Sequence, residues 1–267
     1  MTRELLDFAR ELADVAEAEI VPRFRRVATE LKADGTVVTE ADREAERAMR
    51  ARIAERFPGH AVIGEELGPA GDPGARHRWV LDPVDGTALF TLGLPTFGTL
   101  IGLLEDGEPV VGVVHFPALG ETDFAARGEG CWVQATGQAP VPARVAPAVP
   151  LAEAYVSACG PYGSDIMPAS GRAVDLTAVV RRAHRFRFLG DCLQHSLVCR
   201  GLVHVAVDTI MAPWDVAALV PCIREAGGVA TSLDGKAKDV VFAGSLVTSC
   251  APGLHEEVLA LLNRAAR

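Results

Sequence analysis

Apolar residues at Leu5, Leu6, Phe8, Ala9, Leu12, Ala13, Val15 and Ala16 return with the spacing of one helical face. The chain therefore opens with a long amphipathic helix, bent where Pro22 removes a backbone donor. A second helix is announced by Thr39 with Asp42 three residues on, a capping-box arrangement, and runs through Ala45, Met49 and Ile53 to Phe57, where Pro58-Gly59 stops it. Residues 32–38 between them read as a polar loop. The period then shortens, with β-rich runs at 61–63, 79–81, 97–104, 110–116, 121–126 and 131–134. They suggest an antiparallel meander whose apolar strands are covered by helices on both faces. Its clearest link is Glu105-Asp106-Gly107-Glu108, because a tight hairpin needs the positive φ that Asp-Gly supplies.

The proline- and alanine-rich stretch 139–150 divides this part from the rest and reads as a hinge. It sets an N-terminal α+β subdomain over residues 1–140 against a C-terminal α/β subdomain over 150–267. In the second, strands are expected at 155–158, 186–188, 203–207 and 246–249. Helices are expected at 172–183, 192–200 and 214–226, the last ended by Gly227-Gly228, with a final helix at the C-terminus.

Composition narrows the function. Of the 267 residues 49% are hydrophobic, which gives a globular chain with a real core. With 26 Lys+Arg against 35 Asp+Glu the net charge is −9, which argues against nucleic acid or an anionic membrane as partner. Small phosphorylated anions stay open to such a protein if metal ions stand between carboxylates and phosphate. The six cysteines form no CxxC pair and read as reduced, and no apolar segment of membrane-spanning length occurs, so a cytoplasmic setting is expected. Seven histidines without an HExxH spacing argue against zinc. Arg181, Arg182, Arg185 and Arg187 read as a solvated helix end.

The densest chemical signal is Trp79-Val80-Leu81-Asp82-Pro83-Val84-Asp85-Gly86-Thr87, an apolar strand that delivers two carboxylates into a sharp turn. A plain Asx turn accounts for one aspartate and leaves Asp82 unexplained, whereas a hard cation such as Mg²⁺ uses both. Gly64-Glu65-Glu66 also follows an apolar run, although Glu-Glu alone is usually surface. Asp215, in Ala212-Pro213-Trp214-Asp215, has an ordinary use as a helix cap.

Together, and in this order, the Gly64-Glu65-Glu66, Asp82-Pro83-Val84-Asp85-Gly86-Thr87 and Trp214-Asp215 segments resemble the signatures of the inositol monophosphatase superfamily of Mg²⁺-dependent phosphomonoesterases. The resemblance spans residues 32–228 and implies that superfamily's layered αβαβα sandwich and a homodimer. It implies one Mg²⁺ held by Glu65, Asp82 and the Val84 carbonyl, and a second by Asp82, Asp85 and Asp215. A third, weaker one falls near Glu65 and Asp42, which gives Asp42 a role beside its capping one. Thr87 and Glu65 would orient the attacking water, and Asp85, Gly86, Thr87, Asp191, Asp208 and Asp215 would contact substrate. Residues 97–104 and Gly190-Asp191-Cys192 lean toward the histidinol-phosphate phosphatase branch, while Ala88 departs from it. Asp208 would then meet the ammonium of an amino-alcohol leaving group. Inositol 1-phosphate, sugar and nucleotide phosphates are the alternatives, as is an inactive interaction protein, which a full set of ligands disfavours. Lithium inhibition is implied by the resemblance alone.

Overall fold

The computed structural model describes residues 2–32, 37–160 and 174–266. The first helix, α1 (Thr2–Ile20), buries Leu5, Leu6, Phe8, Ala9, Leu12 and Ala13, and Pro22 lies in a short 3₁₀ turn that ends it rather than bends it. A small antiparallel ribbon, β1 (Thr29–Leu31) with β2 (Val37–Thr39), leads into α2 (Glu40–Arg56). Thr39 caps α2 as expected, with the Asp42 side chain returning a bond to the Thr39 amide.

The large sheet contains β3 (Ala61–Gly64), β4 (Gly68–Ala70), β5 (His77–Asp85), β6 (Gly98–Glu105), β7 (Glu108–Phe116), β8 (Glu121–Ala126), β9 (Gly130–Ala135) and β10 (Val141–Ala143). Its order is β10-β9-β8-β7-β6-β5-β3-β4. From β5 to β10 it is the expected antiparallel meander, and the Asp106-Gly107 turn has both residues at positive φ, 51° and 85°. The exception is β3, which pairs with β5 in parallel. Residues 65–76 supply the length such a connection needs and form β4 on the outer side of β3. The stretch read as a hinge contributes β10, an edge strand, where a sheet tolerates Pro142.

The second sheet, ordered β12-β11-β13-β15-β14, is built from β11 (Tyr155–Ala158), β12 (Arg185–Phe188), β13 (Val205–Asp208), β14 (Val229–Thr231) and β15 (Leu246–Ser249). It is mixed: β11 runs parallel to β12 and β13, whereas β15 runs antiparallel to β13 and β14. The three-residue β14 is too short to stand out in the sequence. Six further helices cover the two sheets: α3 (Thr87–Thr91), α4 (Leu176–Arg182), α5 (Asp191–Cys199), α6 (Pro213–Val216), α7 (Leu219–Glu225) and α8 (Pro252–Leu262). Residues 172 and 173 of the helix expected over 172–183 lie outside the described residues, and Asp175 caps the observed one.

The single helix expected over 214–226 is divided into α6 and α7. Pro221 has no amide to donate to the carbonyl four residues back, so the helix restarts at Leu219 with the proline in its first turn. The layers are α1 and α2, the large sheet, α5 to α7, the second sheet, and α4 with α8, an αβαβα sandwich as the resemblance implies. The Asp123 carboxylate in β8 accepts from Ser196 (2.5 Å) and Arg200 (2.8 Å), tying the large sheet to the middle layer. Arg181, Arg182, Arg185 and Arg187 are exposed, and none of the described helices is long and apolar enough to cross a membrane.

Candidate metal centre

Side chains three apart on a regular strand point to opposite faces, so Asp82 and Asp85 should diverge. They converge because the pairing of β5 with β6 slips between them: Asp82 faces Leu100 and Asp85 faces Gly98, one residue more on β5 than on its partner. This bulge contains Pro83, and the Pro83 carbonyl accepts from the buried Thr99 hydroxyl at 2.8 Å. Within it Asp82 Oδ1 accepts from the Val84 amide at 3.0 Å, so the Asx-type turn is present and is made by Asp82. Asp85 Oδ2 accepts from the Cys192 amide at 2.6 Å, fastening β5 to the start of α5. Asp215 Oδ2 accepts from the Ala212 amide at 2.7 Å, the expected cap of α6.

Capping leaves these carboxylates available to one another. Oxygens of Asp82, Asp85 and Asp215 lie within 4.8 Å of each other, the one such group of possible ligands among the described residues. Burial, reinforced by neighbouring carboxylates, pushes Asp82 and Asp85 well above the ordinary aspartate range and Asp215 up to about 7. A buried set of oxygen donors with repelling charges is what a hard divalent cation neutralises, so the residues present fit Mg²⁺.

Glu65 lies beside this group at the end of β3, its amide bonded to the Leu81 carbonyl at 3.2 Å. Lys32, which the sequence does not single out, reaches across to Glu65 (2.7 Å) and Glu66 (2.6 Å). Burial raises Glu66 to about 7 despite that partner. A lysine at the edge of a loop carries no spacing signal that pairs it with residues more than thirty positions away. Asp42 makes the expected cap of α2, its Oδ2 accepting from the Thr39 amide (2.8 Å) and hydroxyl (2.5 Å), and its Oδ1 lies 3.2 Å from Thr87 Oγ1. Thr87 Oγ1 also lies 2.9 Å from the Val84 carbonyl.

Glu65, Asp82, Val84, Asp85, Thr87 and Asp215 line a cleft of about 580 Å³ that continues past Ala88, Asp191, Ile210, Met211 and Trp214. Gly86 takes φ +78° ahead of α3, and a Cβ there would stand 2.9 Å from Asp191 Oδ2. Asp191 is therefore brought against the turn, and burial and the nearby Asp208 push it up to about 6. Asp208 is not among the described residues that line the cleft. It stands at the end of β13, is 3% exposed, and its Oδ2 accepts from Gln194 (2.6 Å) and His195 (2.9 Å). Gln194 in turn accepts from Ser157, and His195 meets Thr248 at 2.8 Å, so Asp208 is the centre of a buried polar network below the cleft. Residues 97–104 likewise supply core strand, with Leu100, Ile101 and Leu103 fully buried.

An αβαβα sandwich with an oxygen-only carboxylate cluster at its centre suits metal-dependent hydrolysis of phosphate esters. The model of the inositol monophosphatase family matches residues 1–267. A histidinol-phosphatase of Mycobacterium tuberculosis is 38% identical over 265 residues, covering 98% of this chain and 99% of that protein. A fructose-1,6-bisphosphatase/inositol-1-monophosphatase of Thermotoga maritima is 32% identical, covering 97% and 95%. The solved structure of an inositol monophosphatase from Zymomonas mobilis superposes with a TM-score of 0.82 at 31% identity over 97% of both chains. The chain belongs to the inositol monophosphatase family, whose members depend on metal, and is a phosphoric monoester hydrolase.

Proposed function

We propose that this chain hydrolyses histidinol phosphate, using two Mg²⁺ with a third, weaker site at Glu65 and Asp42. The observation that carries the substrate is the charge of the cleft. Beyond the four carboxylates assigned to the ions, its described lining holds Asp191 and no basic residue, which favours a cationic leaving group over a neutral polyol. Asp191, beyond the metal carboxylates, is the group assigned to the ammonium. The similarity to the histidinol-phosphatase supports the same choice. A broader phosphomonoesterase acting also on inositol 1-phosphate is the second reading, favoured by the Thermotoga maritima relative.

Glu65, Asp82 and the Val84 carbonyl would hold one ion, and Asp82, Asp85 and Asp215 the other. Bound Mg²⁺ supplies neutralisation of the phosphate dianion and acidification of a water. The chain's own residues do the positioning. Thr87 Oγ1 and Glu65 orient the water, Asp42 Oδ1 steadies the Thr87 hydroxyl, and the Gly86 and Thr87 amides at the start of α3 donate to phosphate oxygens. A homodimer in the cytoplasm completes the proposal. Self-association is supported by β12, an edge strand carrying Phe188 at 54% exposure, and is checked by sedimentation.

Steady-state kinetics with histidinol phosphate and inositol 1-phosphate, at saturating Mg²⁺, tests the substrate. We expect the higher kcat/KM for histidinol phosphate; the reverse order would favour the broader phosphomonoesterase.

A further inference from the structure

Glu46 is a fully buried carboxylate in α2 that does not line the cleft. Burying a charge is costly unless its partners are well placed, and those of Glu46 surround one turn. Its Oε2 accepts from the Glu66 amide at 2.7 Å and its Oε1 from the Leu67 amide at 3.3 Å. Arg50, one helical turn on, donates to Glu46 Oε1 at 2.7 Å and, through a second nitrogen, to the Gly68 carbonyl. Since the Glu65 amide is already bonded to Leu81 on β5, the backbone carrying Glu65 is held from both sides. Gly64 is part of the same device: a Cβ on it would overlap the Glu46 carboxylate, 2.8 Å from Oε2 and closer still to the other atoms. Glycine at 64 is what lets a side chain from α2 pass beneath the turn and reach the amides beyond.

We propose that Glu46 is a positioning residue that sets the metal affinity of the cleft by fixing the 64–68 turn, and with it the carboxylate of Glu65. This rests on the reading of Glu65 as a metal ligand. A residue that orients ligands from behind typically changes metal affinity by about 10- to 100-fold when removed. Glutamine at 46 keeps the shape but has one acceptor oxygen. Bonding Glu66 with it turns an amide NH₂ toward the Leu67 amide and Arg50, both donors.

The test is calorimetric titration of the folded, metal-stripped protein with Mn²⁺, for wild type, Glu46→Gln, Gly64→Ala, the double variant and Glu65→Gln. We expect Glu46→Gln and Gly64→Ala each to bind Mn²⁺ about 10-fold more weakly. The double variant should be little worse than the weaker single, because both changes remove the same contact. At saturating Mg²⁺ Glu46→Gln should regain most of the wild-type kcat with KM for the phosphate ester unchanged. Wild-type Mn²⁺ affinity in Glu46→Gln, beside a weakened Glu65→Gln, would overturn the proposal and leave Glu46 a stabilising residue alone. Wild-type affinity in Glu65→Gln would instead remove Glu65 as a ligand, and the proposal with it. Should circular dichroism find Glu46→Gln unfolded, Gly64→Ala, which displaces the carboxylate without deleting it, decides the matter by the same criterion.

Discussion

Each oxygen of Asp42 has its own partner, Oδ2 capping α2 and Oδ1 facing Thr87, so an amide at this position keeps one of the two contacts. Asp42→Asn should therefore raise the Mg²⁺ concentration needed for half-maximal rate while leaving the saturated rate near wild type. Asp82 sits among Asp85 and Asp215, and in the proposed two-ion arrangement, where both ions share it, no neighbour can take its place. We predict that Asp82→Asn lowers turnover by about 100-fold or more at any Mg²⁺ concentration. Metal titrations of the two variants side by side check the hierarchy, which fails if saturating Mg²⁺ rescues Asp82→Asn. The Asp191 and Asp208 pair separates recognition from support. Asp191→Asn should erode the preference for histidinol phosphate by roughly 1.5 to 3 kcal/mol, the worth of one hydrogen bond to a charged group. Asp208→Asn should spare the preference and cost about 1 to 3 kcal/mol of stability, because it leaves Gln194 or His195 facing a poor partner. Parallel kcat/KM ratios and denaturant titrations decide; the assignment is wrong if Asp208→Asn shifts the ratio and Asp191→Asn does not. The Asp82 and Asp85 pair was legible because two carboxylates stood at a strand end beside Pro and Gly, whereas Glu65 and Asp215 stood out only through the resemblance. Lys32 and Glu46 were not legible, since a charge on a loop or helix looks like surface until its distant partner is known.

At the scale of elements, the β5 bulge and the left-handed Gly86 make the turn that gathers the site. Gly86→Ala puts a Cβ in the left-handed region and against Asp191, so we predict a loss of about 1 to 3 kcal/mol in stability together with impaired turnover. Thermal melts and assays of this variant check it, and unchanged behaviour in both would show that the turn tolerates a side chain. Local chemistry announced most elements: the Thr39 cap, the Asp106-Gly107 hairpin and the apolar face of α1 all lie where their residues place them. What the sequence hid is relational. A short β-rich run shows that 61–63 is a strand, but not that β3 lies parallel to β5, because pairing depends on where residues 65–76 lead. Pro221 carried the information that divides α6 from α7, outweighed by the apolar run around it.

In the whole molecule, the cleft is lined by the end of β5 and the turns that follow β3 and β5 on one side and by α5, α6 and the loop before α6 on the other. A site assembled this way couples the fold to its ions. Burial raises Asp215 from its ordinary 3.8 to about 7 and Asp82 well above that range, so the folded, metal-free protein holds protons that the unfolded chain has released. Stability from these groups is thus fullest at low pH and is lost as pH rises toward and through 7. Mg²⁺ replaces the protons. We predict that Mg²⁺ raises Tm more at pH 8.5 than at pH 6.5, by calorimetry with and without chelator; an equal or smaller increment at pH 8.5 would contradict the linkage.

Metal-activated hydrolysis is tested most directly by phosphate release from histidinol phosphate, using protein stripped with a chelator and then titrated with Mg²⁺. With the ions absent, the described lining of the cleft holds no cation to neutralise the phosphate dianion or to acidify a water. We predict no release until Mg²⁺ is added, then recovery to the full rate as the ion saturates. Most of the rate surviving in exhaustively metal-free protein would contradict this mechanism.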